Sequence, residues 1–305
     1  MAMTAFAPSV GDSASGSSRS GGRTALLLLL PALAYLALFF LTPLVSLVLT
    51  SLQTPRLYGD IGQYDYAFRV ENYVDVVSEY LPQIGRSFGY ALIATVIALL
   101  LAYPLAYFIG VTMRRFPLAQ NLLLVLVIAP FFISFLLRTL AWKQLLSNES
   151  WVVQALQGLS LLGPGEYFIG SPPAVVFGLV YNFLPFMALP LYASLERLDL
   201  RLVEAGSDLY AGPFTRFRTV ILPLSMPGII SGTLLTFIPA SGDYINASRD
   251  FLGSPDTSML GNAVEANFLV LQNFPAAAAL SIILMGAILI LVAAYVRRSG
   301  TDELL

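Results

Sequence analysis

Six long apolar runs are separated by polar segments along this chain. They cover about 25–50, 87–113, 120–146, 173–195, 224–242 and 276–296. A helix needs roughly 20 apolar residues to cross a bilayer core of about 30 Å, and each run is about that long or longer. None of the runs alternates with the period of two that a barrel strand shows, so their backbone groups must be paired within helices. The pattern predicts an all-α integral membrane protein with six transmembrane helices.

The two ends of the chain lie outside these runs. Residues 1–22 are rich in Ser and Gly and offer little to bury, so they are predicted to form a disordered tail. A cleaved signal is not expected there, because the first apolar run is too long and lacks an obvious small-residue cleavage site. The membrane domain is therefore assigned to 23–298, and 299–305 form a second short tail.

The segment before the second run has helical spacing. Its apolar residues recur on one face and its polar residues on the other, which predicts an amphipathic helix lying flat on the outer membrane surface. The apolar face contains Tyr73, Val76, Val77, Tyr80 and Leu81, and the polar face contains Asp75, Ser78 and Glu79.

A polar loop, 197–222, separates the fourth and fifth runs. Within it, residues 204–210 are predicted to form a short amphipathic helix, and Gly212 and Pro213 a turn. Residues 215–222 are predicted to form a second short helix that Pro223 halts. A helix-turn-helix between two spans makes a rigid protrusion, although an ordinary amphipathic loop at the membrane surface is an alternative.

Composition supports the membrane assignment and narrows the chemistry. Hydrophobic residues make up 57% of the chain and charged residues only 11%, whereas a soluble domain has about 25% charged residues. The chain has neither Cys nor His, which excludes disulfides, thiolate or imidazole catalysis and the usual zinc sites. It also lacks the G-x-x-x-x-G-K-[ST] loop that binds ATP phosphates, and a basic, aromatic patch for nucleic acid.

The positive charges set the orientation. One side of the predicted bundle receives ten basic residues: Arg19, Arg23, Arg114, Arg115, Arg197, Arg201, Arg216, Arg218, Arg297 and Arg298. The other side receives six: Arg56, Arg69, Arg86, Arg138, Lys143 and Arg249. The positive-inside rule then places both termini and the 197–222 loop in the cytoplasm. The outer side is acidic, which is consistent either with attraction of cations or with an ordinary solvated surface.

The polar loop carries the most specific motif. The run Glu204-Ala205-Gly206-Ser207-Asp208-Leu209-Tyr210-Ala211, followed by 217–223 and 227–229, resembles the EAA loop of type I ABC importer permeases. Further stretches, at 103–108, 137–142, 179–187, 221–232, 237–240 and 261–262, resemble the spermidine and putrescine branch of that family. The chain departs from the family at Gly206, where Ala is usual, and at Tyr210, where Gly is usual. If position 210 requires a positive φ, Gly212 is expected to take over the turn.

The resemblance implies a set of partners and a coupling site. In this family the EAA loop is a coupling helix that sits in a groove of a cytoplasmic ATPase. The implied coupling residues are Glu204, Ala205, Gly206, Asp208, Leu209 and Gly212. The implied partners are an ATPase dimer that holds the ATP and Mg²⁺, a second homologous permease, an extracytoplasmic solute-binding protein and the lipid of a bacterial plasma membrane. This chain itself is expected to bind no cofactor, metal or nucleic acid and to catalyse no reaction.

A polyammonium solute would need carboxylates, ring faces or carbonyls in its path, because an unpaired charge in a low dielectric is very costly. The candidate path residues are Asp243, Tyr244, Trp142, Tyr181, Asn182 and Glu265. Each has a structural alternative: Asp243 as a helix cap or a partner of Arg249, Glu265 as a solvated group, the aromatic rings as belt anchors, and Asn182 as a bond to a neighbouring helix. Arg138 and Lys143 would repel a cation, so they are expected to snorkel outward or to pair with acids.

Other functions stay open on the sequence alone. The solute of an ABC importer could be a different small molecule, and an ion-driven secondary transporter would need no coupling loop. The segment Ser241-Gly242-Asp243-Tyr244 weakly resembles an intramembrane aspartyl protease element, but no second acidic residue lies within a predicted span to complete the pair.

Overall fold

The computed structural model describes residues 21–56, 59–159, 163 and 167–298. The predicted tails, 1–22 and 299–305, lie outside this part of the chain, except that the first helix already begins at Gly21. The chain divides into two compact units, residues 1–47 and 48–305.

The first apolar run is a nearly continuous helix. It consists of α1 (Gly21–Leu36), a π turn (Ala37–Leu41) and α2 (Thr42–Ser51), of which the last four residues belong to the second unit. A short antiparallel hairpin follows, with β1 (Thr54–Pro55) paired to β2 (Tyr64–Asp65) and Thr54 opposite Asp65.

The second apolar run belongs to one long helix, α3 (Glu71–Tyr107). The predicted amphipathic segment is helical and forms its first turns, separated from the rest by a kink at Tyr80 (φ −105°, ψ 16°). The expectation that the apolar face of this segment lies against the membrane surface is wrong for part of that face, while Val77 and Leu81 are exposed. Val76 is buried, and Tyr73 and Tyr80 pack with it against residues of the last two helices of the chain.

The third run is broken. A π turn (Phe108–Thr112) and a 3-10 turn (Met113–Arg115) lead from α3 into α4 (Pro117–Ile128). A second 3-10 turn (Ala129–Phe132) then precedes α5 (Phe135–Leu145), which is bent by 95° from the helix before it. The break falls at Ile133 and Ser134, whose backbone is extended, and it follows the 3-10 turn that contains Pro130. The ring and missing N–H of a proline disfavour a regular helix at that turn. A short helix, α6 (Trp151–Gly158), follows.

The fourth run is the unbroken α7 (Pro172–Glu196), which Ser171 caps and which accommodates Pro185 and Pro190. The polar loop contains α8 (Leu200–Asp208), α9 (Pro213–Arg216), a π turn (Phe217–Ile221) and α10 (Leu222–Leu224). The fifth run, α11 (Met226–Ser241), is bent by 65° from this last segment. The chain ends with α12 (Leu260–Glu265), a π turn (Ala266–Val270) and α13 (Phe274–Arg298).

The prediction that Pro223 halts the second loop helix is wrong. Helical structure continues through Pro223, and the break comes at Ser225. The π turn explains this, because the N–H of Leu222 bonds to the carbonyl of Phe217, five residues back. The wider turn shifts the hydrogen-bond register just where Pro223 has no N–H to donate.

The helical membrane fold is confirmed. In the described residues four helices are long and apolar enough to cross a bilayer, and the number is six when each bent pair counts as one span. Helix α3 packs most extensively against α7 and α11. Its contact stripe is a row of buried alanines at helical spacing: Ala91, Ala94, Ala98, Ala102 and Ala106. Small side chains let the helix backbones approach closely, which favours packing in lipid.

Two ends of the bundle are distinguished by their contacts. At one end, the loop face, the end of α7 and the start of α8 lie beside the end of α3, where Arg114 contacts Leu198. At the other, the hairpin face, the Tyr64 hydroxyl donates to the carbonyl of Gln272, and Arg86 donates to that of Ser258. The coupling-loop candidates lie at the loop face, and Tyr244 and Glu265 lie at the hairpin face.

Candidate functional site

Helix α8 is built by local signals at both ends. Asp199 caps its start, where a carboxylate oxygen accepts the N–H of Arg201 at 3.0 Å. At its end the N–H of Ala211 donates to the carbonyl of Gly206 at 3.1 Å, and that of Tyr210 to Ser207 at 2.9 Å. These two bonds form a Schellman motif, which needs a left-handed residue just after the helix.

Tyr210 is that left-handed residue, with φ +58°. Glycine is the usual choice at this position, because a Cβ makes the conformation unfavourable. Gly212 has φ −62° and ψ 163° and begins the next helix with Pro213. The expectation that Gly212 takes over the positive φ is therefore wrong. The Tyr210 side chain is 98% exposed.

The predicted coupling residues share the outward surface of this segment. Gly206 is half-buried, and the other five are exposed: Glu204, Ala205, Asp208, Leu209 and Gly212. The opposite side of α8 packs inward, where Leu200, Val203 and Phe217 lie against the main core. The outward surface also exposes three large apolar side chains, Leu209, Tyr210 and Phe214. A cluster of exposed apolar side chains is typical of an interaction surface and not of an ordinary solvated loop.

Gly206 makes a specific contact within the loop. A Cβ at this position would lie 3.2 Å from Cγ of Arg216, so the aliphatic stem of that arginine packs directly over the glycine. The Arg216 guanidinium then donates to the hydroxyl of Ser207. Glycine at position 206 therefore makes room for an arginine that joins α8 to α9.

The hairpin face contains an open cleft of about 580 Å³ between the end of α11, α12 and α13. Tyr244 and Glu265, both predicted from the sequence, line it together with Phe268, Ser281 and a set of aliphatic side chains. Asp250, which the sequence analysis did not name as a path residue, lies near enough for its negative charge to affect the Glu265 carboxyl. Burial raises the pKa of the Glu265 carboxyl, and the negative charge of Asp250 raises it further.

Asp243 lies beside this cleft but is buried, with 6% of its surface exposed. Its two carboxylate oxygens accept the backbone N–H and the side-chain amide of Asn246, at 2.8 and 3.1 Å. Burial raises the pKa of Asp243 to about 6, and the N–H groups of the turn that follows act in the opposite direction. Asp243 thus closes the turn after α11 and does not cap a helix, because no helix begins there. It makes no ion pair with Arg249 among the described residues.

Asn182 extends this polar network across the bundle. Its side-chain nitrogen donates to Oδ1 of Asn246 at 3.0 Å and to the hydroxyl of Thr139 at 3.2 Å. It therefore joins α7 to α5 and to the turn after α11, and it is almost completely buried. Neither Asn246 nor Thr139 stands out in the sequence, because each lies more than 40 residues from Asn182 along the chain.

Trp142 and Tyr181 form a separate aromatic group. Their ring centroids are 5.1 Å apart at 72°, and Trp142 also meets Phe177 edge-on at 4.7 Å. Trp142 and Phe177 pack against a small core around Leu252. The predicted path residues therefore fall into three places: the cleft, the buried amide network and this aromatic group.

Arg138 and Lys143, the two basic residues near these sites, do not make the contacts that the sequence predicts. Arg138 is 7% exposed and neither snorkels outward nor pairs with an acid among the described residues. Its guanidinium lies 5.6 Å from the ring of Phe135. The ammonium of Lys143 donates to the carbonyl of Asp250 at 2.6 Å, a backbone contact and not a carboxylate pair.

No metal site is found in the part of the chain that the structure describes, since no three acidic, His or Cys side chains are grouped to hold an ion. The structure therefore combines a helical bundle with a protruding loop at one end and, at the other, a largely apolar cleft that contains Glu265 and two aromatic rings.

Comparison with known proteins gives consistent matches. The profile of a family described as binding-protein-dependent transport system inner membrane component matches residues 102–299. The spermidine/putrescine transport system permease protein PotB of Haemophilus influenzae is 38% identical over 235 residues, which cover 77% of this chain and 80% of that protein. The protein of the same name from Escherichia coli is 35% identical over 260 residues, covering 84% and 92%.

Solved structures match in fold. The crystal structure of a bacterial ABC transporter that imports the acidic polysaccharide alginate superimposes with a TM-score of 0.69 at 15% identity, covering 93% of this chain and 97% of that one. A second structure, of the alginate transporter in complex with its pentasaccharide-bound periplasmic protein, gives a TM-score of 0.70 at 15% identity, covering 92% and 96%.

Proposed function

Because this chain belongs to the family of binding-protein-dependent transport system inner membrane components, as a permease subunit of an ABC importer, we propose that its solute is a polyamine, spermidine or putrescine. Two relatives that are 35–38% identical to it over most of the chain are named as spermidine/putrescine permeases, which supports this choice. Family membership gives no support to the ion-driven transporter and the aspartyl protease.

The observation that carries the polyamine proposal is the Glu265 carboxylate in the largely apolar cleft at the hairpin face. Glu265 lines it, Asp250 acts on Glu265, and no described basic side chain forms an ion pair with either carboxylate. Tyr244 and Phe268 add ring faces that attract an ammonium group. A linear polyamine alternates ammonium groups with methylene segments, which suits a cleft that combines carboxylates with apolar side chains.

An acidic solute suits this cleft poorly. The Glu265 carboxylate would repel a polyanion, so the likeness to the alginate transporter extends to fold and not to solute. The network of Asp243, Asn246 and Asn182 lies beneath the cleft and holds the turn after α11 in place. We assign these residues to support of the path and Tyr244 and Glu265 to contact with the solute.

The loop face would couple transport to a partner ATPase in the cytoplasm. The outward surface of α8, from Glu204 to Leu209, would sit in a groove of that ATPase, which supplies the ATP and Mg²⁺ chemistry. A second homologous permease would complete the path, and an extracytoplasmic binding protein would deliver the solute. The exposed, partly apolar surface of 204–214 supports this role, as does the rigid packing of its inner side.

The solute proposal is tested by replacing Glu265 with Gln in the assembled complex in proteoliposomes. We expect the KM for polyamine uptake to rise on the order of tenfold, because a charged contact to the ammonium is lost. Glu149→Gln is the matched control, since Glu149 is an exposed acid at the same face and outside the cleft. Stimulation of ATP hydrolysis only by binding proteins loaded with sugars or oxyanions would refute the choice of solute.

The coupling proposal is tested separately with Glu204→Lys. The substitution reverses an exposed charge on α8, so the membrane fold should persist while binding of the ATPase and uptake are lost. Co-purification of the ATPase with the permease measures the first effect and vesicle uptake the second. Normal co-purification and uptake would show that α8 is not the docking element.

A further inference from the structure

We propose that Arg114 and Tyr103 are positioning residues that fasten both ends of the 197–225 loop to one helical segment, α3 together with the turns that extend it to Arg115, so that movement of the loop is transmitted to this segment. The inference rests on the proposed coupling function and adds to it the route by which the loop acts on the spans. Both residues lie at the loop-face end of the second apolar run.

Arg114 holds the entry to the loop. Its Nη1 donates to the carbonyl of Leu198 at 3.1 Å, immediately before the Asp199 cap of α8. Leu198 is 4% exposed, so this carbonyl lies at a packed junction. The backbones are close there too, since a Cβ at Gly110 would lie 3.4 Å from the backbone nitrogen of Glu196. A hydrogen bond from a charged donor is stronger than a neutral one.

Tyr103 holds the exit from the loop. Its hydroxyl is 2.8 Å from that of Ser225, and its ring meets the ring of Phe217 edge-on at 5.5 Å. Ser225 is fully buried and lies at the 65° bend between α10 and α11. Its N–H donates to the carbonyl of Ile221, so its position is also fixed by its own chain. Tyr103 therefore contacts the hinge through which the loop passes into the fifth span.

Both contacts start from the same helical segment, and this determines how a movement of the loop would be transmitted to the spans. A displacement of α8 would act on both Leu198 and Ser225. Leu198 is bonded to Arg114 in the extension of α3, and Ser225 is bonded to Tyr103 in α3 itself. Helix α3 in turn packs along α7 and α11 in the main core. A separate bond from Gln120 to the Tyr192 hydroxyl, at 3.1 Å, joins α4 to α7 at the same level.

The test uses Arg114→Gln and Tyr103→Phe in the complete importer in proteoliposomes, with ATP hydrolysis and solute uptake measured on the same sample. Tyr103→Phe keeps the ring contact and removes only the hydroxyl. Arg115→Gln and Tyr90→Phe are the matched controls, because neither side chain makes a hydrogen bond among the described residues. We expect the ATPase to co-purify and hydrolysis to continue, while ATP used per solute imported rises on the order of tenfold in both test variants.

Arg114→Lys retains a charged hydrogen-bond donor, so it should keep part of the coupling that Arg114→Gln loses. A general loss of stability would not explain such a difference between the two variants. Equal ratios in the test and control variants would overturn the inference and leave the proposed function intact. Loss of both activities in step, with normal assembly and unchanged thermal unfolding, would also overturn it. Failure of the unaltered permease to bind an ATPase would refute the proposed function itself.

Discussion

Tyr210 shows how one residue adapts a common helix end. The Schellman motif at the end of α8 requires a left-handed residue, and the chain places a tyrosine there with φ +58°. That conformation costs about 1–2 kcal/mol for a residue with a Cβ. The ring is almost fully exposed, so no contact within the chain offsets this cost. A contact with the partner that receives the loop would offset it.

Replacing Tyr210 with Gly should stabilise the end of α8 by about 1 kcal/mol, because glycine adopts a positive φ without a steric penalty. Slower hydrogen exchange at the amides of residues 209–211 would measure the gain. Tyr210→Ala keeps the Cβ and removes the ring, so it should give no such protection. Equal protection in the two variants would contradict the explanation by backbone strain.

Arg138 is the residue least expected from the sequence. A basic residue near the end of a predicted span is expected at the membrane surface, yet it is buried over Phe135. Two of its nitrogens have no hydrogen-bond partner among the described residues. The 95° bend before α5 turns this side chain inward. No local sequence pattern predicts the full extent of that bend.

At the scale of elements, the π turns explain how prolines are tolerated. The turns at 37–41 and 217–221 are each followed, two residues later, by a proline, Pro43 and Pro223. In both cases the N–H just before the proline bonds to a carbonyl five residues back. The shifted register precedes the missing N–H, so the helix continues where a regular one would be interrupted.

The cap of α8 gives a prediction at this scale. Asp199→Ala removes the acceptor for the N–H of Arg201 and should destabilise α8 by about 1 kcal/mol. Faster hydrogen exchange across residues 200–204 would report the loss, while α7 should be unaffected. Asp199→Asn retains a capping oxygen and serves as the control. Unchanged exchange in Asp199→Ala would show that packing of Leu200 and Val203 alone holds the helix.

At the scale of the whole molecule, close contact between α7 and α11 holds the bundle together. Gly228 and Gly232 face α7, and a Cβ at Gly232 would lie 2.9 Å from the sulfur of Met187 and 3.0 Å from its carbonyl oxygen. No larger residue fits there without moving one helix away from the other, because packed cores have little free space.

Gly232→Val should therefore lower the stability of the bundle by about 1–3 kcal/mol, as overpacking commonly does. Thermal unfolding of the purified permease in detergent measures the change. Gly286→Val is the control, because a Cβ at Gly286 meets nothing within 4 Å and the substitution adds the same atoms to α13. Equal effects of the two substitutions would argue that helix propensity, and not packing, is responsible.

Much of the whole molecule follows from the sequence. The length and polarity of each run decide whether it can be a transmembrane helix, since transfer of a segment into lipid depends on its own residues. The same holds for the protruding loop, whose cap at Asp199 and helix around Glu204 follow from a few adjacent residues. Helical fold, family and the position of the loop could therefore be predicted without coordinates.

Tertiary structure alone decided which distant side chains meet. Asp243 bonds to Asn246 and, through it, connects with Asn182, while Tyr244 and Glu265 share a cleft and Arg114 and Tyr103 reach the two ends of one loop. These contacts depend on where the third and fifth runs bend and on how closely glycines and alanines let helices approach. Bends and approach distances result from packing between segments far apart in the chain, so the pattern along the sequence does not encode them locally.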